Sequence, residues 1–272
     1  MINSKLKLIL HFDINGTITN YDSTENPNHQ QMVNMILSKN SFGKILNDQW
    51  ILNEHPLIED AESITYYDYL KLVNIHQYKQ ISFLFTQENQ PGQSLKDYHS
   101  QMLENKNLLC IFPSFIKVMN NYSDAKIIFR TFGNDGNLIL DQLKNKYGYH
   151  KEFIKGQIQR TDCGPILQLE TGEKYFGIGE INQLINLSKF NLMLKEDYKY
   201  WSLNNRNRLG GKVFIIDDNY HQLFFDDNDC VVCYDIKGNL IKDCEHLIKI
   251  NTISAQLDEN YYVRHIENCC NK

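Results

Sequence analysis

Residues 5–22 read KLKLILHFDINGTITNYD, and this stretch decides the fold. The run from Leu6 to Phe12, rich in Leu and Ile, meets a carboxylate at Asp13 and a turn signal at Gly16. A short apolar run bounded in this way reads as a strand buried on both faces, the kind that fills parallel sheets. Asp13 then stands at the strand's carboxyl end, where open α/β sheets hold their ligands. Gly16 lets the backbone turn sharply and pass close to whatever Asp13 touches.

Two later stretches repeat the theme. AKIIFRTFGNDG is an apolar strand that delivers Arg130 and Thr131 to a turn at Gly133. GGKVFIIDDNYHQLFFDDNDCVVCYD holds Lys212 and two acidic pairs after apolar runs, Asp217-Asp218 and Asp226-Asp227. Between Asp13 and the strand at Ile127 lie more than a hundred residues, too many for a crossover loop, so they must form a subdomain. Apolar residues at helical spacing predict helices from about 28 to 39, in TYYDYLKLV and in LKDYHSQMLENKNLL, with Trp50 and a polar loop to Ser63 following the first of them. Further helices are expected at 112–122, 137–147 and 180–187, strands at 190–194 and 230–234, and a last helix around Tyr261 and Tyr262. Residues 150–179 carry a hairpin with Thr171-Gly172 at its tip and read as a second, smaller insertion.

Composition narrows the classes. The 272 residues fit one large domain or a core with an inserted subdomain, and 42% hydrophobic with 22% charged residues is ordinary for a globular chain. A formal charge of −5 gives no general attraction to nucleic acid or an anionic membrane. No stretch approaches the ~20 apolar residues of a membrane span, and the first residues lack a signal-peptide pattern. Seven cysteines, an odd count, argue against a secreted disulfide framework, so a cytoplasmic protein is expected. Cys230 and Cys233 lie three apart in a strand-like run, which sends their thiols to opposite faces and favours buried cysteines over a zinc site.

The string Asp13-Ile14-Asn15-Gly16-Thr17-Ile18 resembles the first motif of the haloacid dehalogenase-like superfamily, Asp-x-Asp-Gly-Thr-Ile/Leu/Val, with Asn15 in place of the second Asp. HFDINGTI, FRTFG and GK followed by FFDDN further resemble a group of eukaryotic proteins in that superfamily. The resemblance implies a Rossmann-like parallel core formed by residues 1–22 and 112–272, with residues 23–111 as a mainly helical cap. It implies Asp13 as nucleophile, Thr131 as donor to a phosphoryl oxygen and Lys212 as charge neutraliser. Mg²⁺ would be held by Asp13, the carbonyl of Asn15 and Asp226, with Asp227 assisting, and the substrate would be a small phosphorylated molecule.

Lys212 lies five residues before Asp217 and fourteen before Asp226. Only the longer spacing leaves room for a separate Lys-bearing segment and then a strand, so Asp226-Asp227 is the preferred metal-side pair, with Lys195 and Lys199 as alternative lysines. In most members of the superfamily the second Asp moves protons, which an amide cannot do. Three classes follow: a specialised phosphohydrolase, a dehalogenase-like hydrolase, and a protein that binds a phosphorylated ligand or partner without turnover. On sequence alone, Asn15→Asp should restore proton transfer. Titration calorimetry with Mg²⁺ separates the acidic pairs: Asp226→Asn is expected to lose the ion, and loss confined to Asp217→Asn would reverse the assignment.

Overall fold

In the computed structural model, which describes residues 7–20, 28–73, 76–104, 111–204, 211–217, 219–227 and 230–270, the first apolar run forms β1 (Leu8–Asp13), buried from Ile9 onward. Its parallel neighbours are β5 (Lys126–Thr131) on one side and β11 (His221–Asp226) on the other. β9 (Asn191–Lys195) and β6 (Phe153–Thr161) extend the parallel array beyond β5, and β14 (Leu247–Lys249) extends it beyond β11. With β7 (Gly164–Leu169) and β8 (Lys174–Phe176) added antiparallel, the sheet has eight strands in the order β14-β11-β1-β5-β9-β6-β7-β8. The chain leaves β1 toward β5 and β9 and returns to β11 on the opposite side. Strand order therefore reverses at β1, and a crevice opens beyond the carboxyl ends of β1 and β11.

Alternation along β1 separates two faces. Leu10 and Phe12 point into the larger core, where Phe12 stacks on Phe225 with ring centroids 4.7 Å apart and meets Phe115 and Tyr262 edge-on. Phe115 comes from α5 (Pro113–Asn121), which opens with the expected first-turn proline, and Tyr262 from α10 (Tyr261–Cys270). α6 (Gly136–Tyr147) adds Ile139 and Leu143. On the other face, Ile9 packs with Ile181 and Ile185 of α7 (Gly177–Leu187). His11, the next residue on that face, meets Phe214 of a separate three-stranded sheet made of β10 (Lys212–Ile216), β12 (Val231–Asp235) and β13 (Leu240–Ile241). Asp13 continues this alternation, so the small sheet is what faces it.

The insertion contains α1 (His29–Asn40), α2 (Tyr66–Val73), α3 (Tyr78–Ser82) and α4 (Lys96–Glu104), which share an apolar cluster joined by Ile253 of α9 (Thr252–Leu257). Its described elements are mainly helical, and β2 (Phe42–Leu46), β3 (Gln49–Leu52) and β4 (Ile64–Thr65) add a small antiparallel sheet that the sequence pattern does not predict. The turn is Asn47-Asp48, both at positive φ (50° and 61°), the conformation that a two-residue hairpin turn requires and that these side chains tolerate without a glycine. Trp50, 4% exposed, packs on Tyr66 and Phe85.

Two further readings change. Val231–Asp235 is not a strand of the main sheet, because β10 offers it a parallel partner in register from Lys212↔Val231 to Ile216↔Asp235, and β14 takes the edge beside β11. Residues 153–176 are not an insertion but the far edge of the main sheet. Among the described residues no helix is long and apolar enough to cross a membrane.

Candidate active site

Lys212 opens β10, where its N–H donates to the carbonyl of Cys230 at 2.7 Å. From this position its Nζ donates to Asp13 Oδ1 at 2.6 Å and to Asp226 Oδ2 at 2.7 Å. Oxygens of Asp13, Asp226 and Asp227 converge to within 4.8 Å of one another. Asp13 and Asp226 end neighbouring parallel strands on the same side of the reversal, so the topology alone brings them together.

Burial governs the charges. It pushes the Asp13 carboxyl well above the usual range; the Lys212 ammonium opposes this, and Asp226 and Asp227 add to it. Burial also presses Lys212 to lose its proton, but Asp13 and Asp226 outweigh that and hold the ammonium well above the ordinary lysine value. Cys230 lies 3.8 Å from Asp226 Oδ1, and burial, then Asp226, raise its thiol well above the usual value, so it stays neutral.

The turn after β1 is tied to this cluster. The Ile14 carbonyl accepts from the N–H groups of Thr17, Ile18 and Thr19, and the Gly16 carbonyl accepts from Thr252 Oγ1 at 2.7 Å. Gly16 has a φ of +75°, a conformation that favours glycine, and a Cβ there would lie 2.4 Å from Asp227 Oδ2, so the Asp227 side chain would have to move. The backbone's close neighbour at this turn is Asp227. Thr131 ends β5, where its Oγ1 accepts from the Gly133 N–H at 3.0 Å. Asn15 Nδ2 donates to Asp135 Oδ2 at 3.0 Å.

The alternatives named from sequence lie elsewhere. Asp217 accepts from Asn186 Nδ2 at 2.8 Å and from Asn219, outside the carboxylate cluster, and Asp218 falls outside the described residues. Lys195 Nζ donates to Asn134 Oδ1 at 2.5 Å, and Lys199 is exposed on α8 (Tyr198–Leu203).

Sequence reasoning missed the supports. Arg130 forms a buried ion pair with Glu196, and its Nη2 donates to the Val213 carbonyl at 2.8 Å, which fixes the start of β10 and with it Lys212. A lone arginine inside the apolar run KIIFRT was the available signal, since a charge is rarely buried without a partner. Asp135 and Cys230 had no comparable mark.

A cavity of about 950 Å³ spans the crevice, lined by Asp13, Asn15, Thr131 and Lys212 on the sheet side and by Tyr67 and Lys71 of the insertion. Phe132 also lines it, stacked on Trp201 with centroids 4.8 Å apart. No family model, curated protein or solved structure matches the chain. Lys212→Met would leave two buried carboxylates without their ammonium and should cost ~3–5 kcal/mol in urea unfolding, with part recovered in Lys212→Met/Asp226→Asn. A loss under ~1 kcal/mol would mean that the carboxylates do not depend on Lys212.

Proposed function

We propose that the chain is a phosphohydrolase of the haloacid dehalogenase-like kind, with Asp13 as nucleophile, a Mg²⁺ requirement and the 23–111 insertion as its cap. The observation that carries this reading is the Lys212 bridge between Asp13 and Asp226, set beside Asp227 where the strand order reverses. An ionised carboxylate is a poor nucleophile toward an anionic phosphate unless nearby positive charge offsets the repulsion.

The cluster fits a hard divalent cation: three converging carboxyl groups share one ammonium, and the donors are all oxygen. Asp13, Asp226, Asp227 and the carbonyl of Asn15 would hold the ion, which when bound would supply further charge neutralisation at the phosphoryl group. The chain's own residues account for the rest. Asp13 attacks phosphorus, and the leaving oxygen departs with the electron pair of the broken P–O bond. Thr131, whose oxygen already accepts from Gly133, keeps its hydroxyl proton to donate to a phosphoryl oxygen. Water then attacks the aspartyl-phosphate, releasing inorganic phosphate and returning Asp13 as a carboxylate. Lys212 holds the Asp13 charge before and after.

Asn15 narrows the substrate, because an amide cannot protonate a departing alkoxide. The reading therefore favours small aryl or acyl phosphates, whose leaving groups depart as stable anions. The same residue supports a second reading, binding of a phosphorylated ligand without turnover. Steady-state assays with Mg²⁺ should give hydrolysis of an aryl phosphate at least ~10²-fold faster than of an alkyl phosphate, and none in Asp13→Asn. Competitive binding of both compounds without release of phosphate would favour the second reading. Equal rates in Asp13→Asn and the unaltered protein would contradict both the nucleophile and its role.

A further inference from the structure

Asp135 stands at the N-cap of α6, where an aspartate ordinarily accepts a hydrogen bond from the first turn of its own helix. It makes no such bond. Its carboxylate turns instead to a residue 120 positions away in sequence, accepting from Asn15 Nδ2 at 3.0 Å. The side chain is fully buried, and its second oxygen, Oδ1, has no hydrogen-bond partner. Asn15 Oδ1 is likewise buried and unpartnered. Gly133 permits this approach: a Cβ there would lie 2.5 Å from Asp135 Oδ2 and 3.4 Å from Asn15 Nδ2.

A carboxylate is an acceptor only, so it fixes which end of a neighbouring amide faces it. Turned over, Asn15 would point its own oxygen at the oxygens of Asp135. We propose that Asp135 is the positioning residue for Asn15: by accepting one N–H of the amide it fixes which way the amide faces at the site. Position 15 then presents its amide oxygen and one remaining N–H in a fixed orientation, and it has no proton to transfer to a departing alkoxide. The consequence for catalysis rests on the phosphohydrolase reading, whereas the assignment of the amide does not.

On this proposal, Asn15→Asp alone does not restore proton transfer. A carboxylate introduced at position 15 would meet that of Asp135 at hydrogen-bond distance, with like charges opposed. Relieving the conflict requires an exchange, Asn15→Asp with Asp135→Asn, in which the new amide at 135 donates to the new carboxylate at 15.

Two measurements test the inference. In the ¹⁵N-labelled protein, the Asn15 side-chain amide is identified by its absence in Asn15→Asp; it should be shifted downfield and slow to exchange, and should lose both properties in Asp135→Ala, with Asp135→Ser as the substitute if that variant does not fold. Hydrolysis of an alkyl phosphate should rise less than ~10-fold in Asn15→Asp and ~10²–10⁴-fold in the exchanged double variant, with little change on an aryl phosphate. An Asn15 amide indifferent to the change at Asp135, or a single variant that gains as much as the double, would overturn the proposal. Absence of turnover in every protein, with the amide responding as expected, would remove the phosphohydrolase reading and uphold the positioning role.

Discussion

One buried ammonium holds the centre of this molecule together. Lys212 reaches from the small sheet to the ends of two strands of the large one, and satisfies Asp13 and Asp226 together. Removing a partner from such a cluster leaves an uncompensated buried charge, which costs several kcal/mol, so each element that sets the lysine's position is tied to the stability of the others. The ties are visible. β10 is placed by its register on β12, by the Cys230 carbonyl and by Arg130, which is itself neutralised by Glu196. Phe214 and Phe224 close the seam between the two sheets around His11, which burial keeps neutral.

Much of this was legible in the sequence, because buried strands of a parallel sheet leave a simple mark. Apolar runs that end in Asp13, Thr131 and Asp226 locate the strands and their carboxyl ends together. The spacing from Lys212 to Asp226 was readable for a related reason: fourteen residues accommodate one strand, a turn and a second strand, which is how β10 and β11 are built. What stayed hidden depended on choice of partner. β12 is as apolar as a strand of the main sheet, and nothing in its composition says that it pairs with β10. The Asn47-Asp48 turn lacks the glycine that usually betrays a tight hairpin. Asp135 looks like an ordinary helix cap, and only the structure turns it toward Asn15.

The insertion and the sheet meet across the crevice, and α9 links them. Asn20 Nδ2 donates to Gln256 Oε1 at 2.6 Å, and Gln256 Nε2 donates to the Met102 carbonyl at 3.1 Å, so the turn after β1, the helix α9 and the insertion share one buried chain of hydrogen bonds. In the functional reading proposed above, the wall that selects the substrate is thus fastened to the turn that presents Asp13. On that proposal, a site with Asp13 as nucleophile and no proton carrier at position 15 should form its covalent intermediate more readily than it resolves it.

Chemical trapping of that intermediate tests the central claim most directly. The protein is mixed with Mg²⁺ and a radiolabelled aryl phosphate, quenched in acid and mapped by peptide analysis. The account predicts an alkali-labile acyl-phosphate confined to the peptide that carries Asp13, which builds up because Asn15 activates water poorly and which is absent in Asp13→Asn. Release of phosphate with no label on the chain, or label on any other residue, would contradict it.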